Sequence, residues 1–232
     1  MKRQETIFAF ALFVVVALLL GGCAGSYHAR SLDIKETMFV NPAILKPGES
    51  GQALYRYRNP DVKSGTYNKI LVDPVLLSRS AELDAENLEN YQKLANNAYL
   101  YLVQEFQKYS TIVKSPEPGA VRLQLAILEA NPSSAVRNVL SSVTPIGIGI
   151  SAIKGASTGK QAGVGEVTAE FKVTDAMTGE LLGAAVDRRV GGKSVEGMYD
   201  SWANADDALK FWSKQVHYIF CTERGGANCV KP

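Results

Sequence analysis

The stretch EVTAEFKVTDAMTGELLGAAVDRRV, residues 166–190, decides the fold. Val167, Ala169, Phe171 and Val173 alternate with Thr168, Glu170, Lys172 and Thr174. A period of two sends the first set to one face of a strand, toward a core, and the second toward solvent. Asp175-Ala-Met-Thr-Gly179 then reads as a hairpin turn. An aspartate side chain accepts local backbone hydrogen bonds, and glycine takes positive φ without steric cost. Leu181 to Arg189 returns as the partner strand. Such a hairpin is marginal alone and needs further elements against its apolar face.

Those elements lie on both sides of it. Val121, Leu123, Leu125 and Ile127 share one face of a strand over 121–128. Tyr67–Leu77 is a β-rich apolar run, in which Pro74 marks an end, a bulge or an edge, because proline cannot donate to the ladder. Between these runs, Leu88, Tyr91, Ala95, Ala98, Leu102 and Phe106 recur at three and four and predict a helix over about 84–109. After the hairpin, Trp202, Ala205, Leu209, Trp212, Val216 and Ile219 predict a second helix ending near Cys221. The order is strand, helix, strand, strand, strand, helix. The expected architecture is α/β of the α+β kind: one mixed, largely antiparallel sheet of four to five strands with two amphipathic helices packed on one face. The first helix carries a crossover and the hairpins need only short turns.

The chain opens MKRQETIFAFALFVVVALLLGGC, residues 1–23. Lys2 and Arg3 form a basic n-region, and Ile7–Leu20 is an uncharged run of signal-peptide length, short for a membrane span. Leu20-Gly21-Gly22-Cys23 resembles the bacterial lipobox. On this reading residues 1–22 are a lipoprotein signal peptide and Cys23 becomes the acylated N-terminus, since two or more acyl chains make a stable anchor. Ala24 in place of aspartate resembles the default outer-membrane address. Residues 23–66 form a lipidated, extended lead-in, 67–221 the globular domain and 222–232 a tail. Within the lead-in, Ala53–Arg58 alternates apolar and basic residues, as a short strand or an extended segment with a solvated basic face.

Removing residues 1–22 takes Lys2, Arg3 and Glu5 from the 25 basic and 23 acidic residues, so the mature chain stays nearly neutral. That charge gives no basis for nucleic-acid binding. Aromatics at 9% and charged residues at 21% fit a globular protein rather than a disordered one. Cys221 and Cys229 are placed to pair in an oxidising compartment; two free thiols are the alternative.

Three blocks, YRNPDVKSGTYNKILVDPV (57–75), EVTAEFKVTDAMTGELLGAAVDRRVGG (166–192) and SWANADDALKFW (201–212), stand in this order behind the lipobox. Together they resemble the bacterial lipoproteins grouped as domain of unknown function 3313, over about residues 50–220. The most specific part is the Asp-x-x-Thr-Gly-Glu hairpin followed by a Ser-Trp helix start. The resemblance implies an address and a fold and brings no catalytic residues. More distantly, the element order is similar to periplasmic lipoproteins of the curli-secretion and exopolysaccharide-export type, a likeness of topology alone.

Catalytic motifs are scarce. His28 follows closely on the lipid anchor, and His217 reads as a half-exposed helix residue. Gly155–Lys160 has three residues between its glycines where a phosphate loop has four, and Gln161 stands where that loop needs Ser or Thr. Asp187 and Arg189 share a strand face as a surface pair. Asp206-Asp207 falls in the first turns of the last helix, where acids complement the dipole. Two cysteines without a neighbouring histidine make a poor zinc site, so no metal and no cofactor is expected.

The remaining odd segment is 133–165, containing SSVTPIGIGISAIKGASTGKQAGVG (141–165). Val139, Leu140, Val143, Ile146, Ile148, Ile150 and Ile153 are too apolar for an ordinary solvated loop, and they are either a buried flap or a contact surface. The expected function is a non-enzymatic outer-membrane lipoprotein facing the periplasm, held to the membrane by its lipid and binding a protein or envelope partner, a second copy of itself included. A ring-forming accessory subunit of an export or pore assembly is the second reading. An envelope hydrolase is the third.

Overall fold

The computed structural model describes residues 27–28, 34, 37–63, 65–78, 88–131, 165–191 and 202–232. Nine strands and two α-helices lie among them. In chain order they are β1 (Tyr27–His28), β2 (Lys46–Pro47), β3 (Tyr55–Arg58), β4 (Lys69–Val72), β5 (Leu76–Leu77), α1 (Leu88–Gln107), β6 (Thr111–Ile112), β7 (Ala120–Asn131), β8 (Glu166–Asp175), β9 (Leu181–Val190) and α2 (Ala203–Glu223). The sheet runs β2-β3-β9-β8-β7-β4-β6, with β1 also on β9 and β5 also on β7.

The β8–β9 hairpin is the centre of the sheet. Asp175 Oδ1 accepts the N–H groups of Met177 and Thr178, each at 2.8 Å, and Gly179 sits at φ 75°. β7 lies antiparallel to β8, and β4 lies parallel to β7 after the crossover through α1. Pro74 separates β4 from β5, as a residue without an N–H should. The expected four to five strands become nine because the lead-in adds β1, β2 and β3, the apolar run over 67–77 splits into β4 and β5, and β6 follows α1. β3 pairs with β9, with Arg56 opposite Ala185 and Arg58 opposite Gly183, and β2 pairs with β3. Two-residue strands such as β1, β2, β5 and β6 carry too little periodicity to be seen in a sequence.

Both helices cover one face of the sheet. Val121, Leu123, Leu125 and Ile127 of β7, with Val167, Ala169 and Phe171 of β8, meet Tyr91, Leu94, Ala98, Leu102 and Phe106 of α1 and Ala205, Leu209 and Trp212 of α2 in one core. Leu88 and Ile219, expected on the apolar stripes, are exposed, while Leu94 and Ala208 are buried. Between the helices Tyr91 packs edge-on against Trp202 at 5.3 Å. Asp206 accepts hydrogen bonds from Asn97 Nδ2 (2.8 Å) and Tyr101 Oη (2.8 Å) and pairs with Lys210 at 2.9 Å. Burial raises the Asp206 carboxyl, but these partners outweigh it and hold the group below its usual range. Asp206 therefore ties the two helices together in addition to its place in the first turn.

The face away from the helices is covered too. Glu170, in the middle of β8, is 0% exposed, and its carboxylate accepts the N–H groups of Met38 (2.5 Å), Phe39 (3.1 Å) and Val40 (3.1 Å). The lead-in lies across the sheet as a strap. Burial pushes the Glu170 carboxyl up, and the three N–H donors pull it back only in part. A bulge after Ile127 of β7 turns Glu129 to the same face, where it pairs with Arg188 at 2.6 Å while Arg188 Nε donates to Thr168 Oγ1 at 2.9 Å.

His217 is not half-exposed. It is 5% exposed, stacked on Tyr109 at 4.9 Å and edge-on to Phe106 at 5.5 Å, and its Nε2 has no hydrogen-bond partner among the described residues. Burial pushes its pKa down, with Arg224 and Lys108 adding to the effect and Glu105 opposing it. The unfolded chain takes up this proton near pH 6.5, before the folded one does. Stability from His217 is thus fully present above pH 6.5 and is lost as pH falls through the lower folded value. In urea unfolding from pH 7.5 to 5, His217→Phe should lose stability less steeply than the parent. Parallel curves would show that the ring titrates freely.

Candidate functional site

β3, β9 and α2 enclose a cavity of about 520 Å³ on the helix side of the sheet. Its origin is local. The helix-facing residues of β9 near the turn are Gly183 and Ala185, which pair with Val173 and Phe171. A Cβ at Gly183 would meet Tyr57 O at an ordinary 3.4 Å, so the backbone tolerates a side chain that the sequence does not supply. Opposite these small residues stand Trp212, Val216 and Phe220 of α2. Val62, Tyr67, Val173, Val216 and Phe220 pack against the core yet are only partly buried, because the space between them is open.

Two polar tips on the wall, those of Trp212 and Tyr67, are engaged within the protein. Trp212 Nε1 donates to Asp187 Oδ2 at 2.7 Å, and Tyr67 Oη donates to Asp175 Oδ2 at 3.0 Å. Burial and then Asp175 push the Tyr67 phenol up to about 12, so it stays protonated. Asp187 also accepts the N–H of Leu54 at 3.1 Å. Asp187 and Arg189 are therefore no surface pair: they are 2% and 4% exposed on the helix side. Their partners across the hairpin, Ala169 and Val167, are inner-face residues, and this register fixes the side. Arg189 lies 3.6 Å over the ring of Phe211, and burial brings its pKa down to about 10 against the pull of Asp187.

The rim is basic. Arg56 and Arg58 come from the helix-facing side of β3, Lys63 from the following loop and Lys231 from the tail. Arg58 is held bidentately by Glu223, at 3.1 and 2.7 Å. Arg56, Lys63 and Lys231 make no ion pair among the described residues. The tail that carries Lys231 is fastened by the Cys221–Cys229 disulfide, which the structure closes with Cα atoms 5.6 Å apart. Opening that small loop should lower stability by about 2–3 kcal/mol. Urea unfolding of Cys229→Ser checks this figure, and an unchanged midpoint would show that the tail contributes nothing.

Cys23 and the candidate contact surface at Val139, Leu140, Val143, Ile146, Ile148, Ile150 and Ile153 lie outside the described residues. The cavity was not foreseen. Its signal was the run Gly183-Ala184-Ala185 inside a strand facing a helix rich in Trp and Phe. Among the described residues no cluster of three His, Cys, Asp or Glu is placed to hold a metal ion, and no helix is long and apolar enough to cross a membrane.

A family model described as Protein of unknown function (DUF3313) matches residues 35–216. No curated protein matches the sequence. Among solved structures, a PelC dodecamer from Paraburkholderia phytofirmans is similar at 11% identity and TM-score 0.38, over 67% of this chain and 90% of that one. A protein of the DUF330 family from Xanthomonas campestris is similar at 10% identity and TM-score 0.37, over 72% and 89%. Likeness at this level says nothing of function.

Proposed function

We propose a function for this chain on the premise that it belongs to the DUF3313 family: a lipid-anchored, non-enzymatic binding protein of the bacterial envelope, on the periplasmic face of the outer membrane. The observation that carries the binding role is the cavity under α2, concave and apolar with a charged rim, which is the usual form of a small-ligand site. The cysteines support the address, since a closed disulfide belongs to an oxidising compartment. The lipobox ending at Cys23 supports the anchor. Cys23→Ser tests it: the variant should remain an unprocessed precursor without acyl label and leave the outer-membrane fraction. Normal labelling and fractionation of the variant would refute the anchor.

A ring-forming subunit is the second reading. It is favoured by the outward side of α1, where Leu88, Tyr99 and Leu100 are exposed at 40%, 36% and 50%. Mass photometry of detergent-extracted protein separates a ring from a monomer.

A further inference from the structure

We propose that the cavity under α2 takes up an amphiphile with one acyl chain and an anionic head, an inference that rests on the binding role above and names its ligand. The interior chemistry is that of a hydrocarbon site. The ring nitrogen of Trp212 and the hydroxyl of Tyr67 are spent on Asp187 and Asp175, so these two side chains offer a guest only their apolar parts. Val173, Val216 and Phe220 add to a wall whose surface is mostly apolar, poorly suited to orienting a sugar, a nucleotide or a peptide backbone. Of the two acids lining the cavity, Glu223 holds Arg58 at the rim, and Asp187 already accepts from Leu54 and Trp212 and stands beside the buried Arg189. A volume of about 520 Å³ falls within the roughly 300–1,000 Å³ of small-ligand sites and suits a single chain.

The rim selects the head. Arg56, Lys63 and Lys231 reach the mouth from three different segments, and none is neutralised by an acid among the described residues. Arg58, beside them, is neutralised by Glu223. A carboxylate or phosphate at the mouth would receive charge-assisted hydrogen bonds from these groups while its chain lies against Trp212. Lys231 follows the disulfide by two residues, so the Cys221–Cys229 bridge sets one of the three cations in place.

The test uses mixed-orientation membrane vesicles from cells producing the full chain, with three diazirine probes: a fatty acid, the matching fatty alcohol and a two-chain phosphatidylglycerol. The acid should label peptides carrying Tyr67 or Val216, and the alcohol should label them about tenfold less. The two-chain lipid, too large for the cavity, should stay at background. Val216→Trp, which fills the space, should abolish acid labelling. Arg56→Glu with Lys63→Glu, on the accessible rim, should cut acid labelling about tenfold and leave the alcohol unchanged. The rim variant decides the matter even if Val216→Trp fails to fold. Labelling away from the cavity, equal labelling by acid and alcohol, or preference for the two-chain lipid would each overturn the proposal. Acylation of Cys23 is read in the same samples. Lipidated protein with no label in the cavity would sink the ligand and leave the envelope reading standing.

Discussion

Glu170→Ala is expected to lower stability by about 3–5 kcal/mol in urea unfolding, one of the two largest losses from a single substitution in this chain. The carboxylate is fully buried at the centre of β8 and receives three consecutive backbone N–H groups, those of Met38, Phe39 and Val40. Removing it leaves three donors without their acceptor, each costing about 1–3 kcal/mol if it stays dry. The strap can instead lift into water, which caps the loss but uncovers the sheet. Glu170→Gln separates these effects. It keeps one acceptor oxygen, sets an amide N–H₂ against the donors and removes the charge whose burial pushes the pKa up. A loss between parent and alanine is expected for it, together with faster proteolysis within residues 37–47. An alanine variant within about 1 kcal/mol of the parent would mean that the strap is not fastened by Glu170.

Asp187→Ala is expected to cost a similar amount, about 3–5 kcal/mol, for a different reason. Asp187 accepts the indole N–H of Trp212 and the N–H of Leu54, and it balances Arg189, which is buried at 4% exposure. Breaking one side of a buried charge arrangement is costly because the remaining charge is left in low dielectric. Burial already brings Arg189 down to about 10, with Asp187 holding it up, so without Asp187 it should fall further. Asp187→Asn keeps an acceptor for Trp212 and loses the charge. If Asn matches the parent and Ala does not, the hydrogen bonds matter; if both fall together, the balance with Arg189 dominates. Near-UV circular dichroism should change with Ala, because the Trp212 indole N–H loses its acceptor on Asp187. A stable alanine variant with an unchanged spectrum would contradict the buried arrangement.

The central hairpin was legible because its signals are local. Thr168, Glu170 and Lys172 alternate cleanly with apolar neighbours, and Asp175 and Gly179 bracket a turn whose chemistry needs only five residues. The second strand was read on the wrong side. In Leu181–Val190 small and charged residues blur the alternation, and the bulge at Leu182 shifts the phase, so Asp187 and Arg189 looked solvated when they face the helices. What depends on distant chain was not legible. Glu170 reads as an outward residue until the strap, more than a hundred residues away, is seen to cover it. His217 looked like an ordinary helix residue because its burial is set by Phe106 on the other helix and by Tyr109 just beyond that helix. The cavity arises from Gly183 and Ala185 standing opposite Trp212 and Phe220, a pairing of sheet and helix that no single window of sequence contains.

The most direct measurement of whether the space under α2 is a binding site is native mass spectrometry of the full chain released from membranes under gentle conditions. One noncovalent guest per chain is expected, of a mass fitting an anionic single-chain amphiphile, in addition to the acyl groups on Cys23. The guest should be lost on activation in the gas phase and absent from Val216→Trp carrying an intact disulfide. A folded parent chain that carries no guest, or a guest retained equally by the cavity-filling variant, would contradict it.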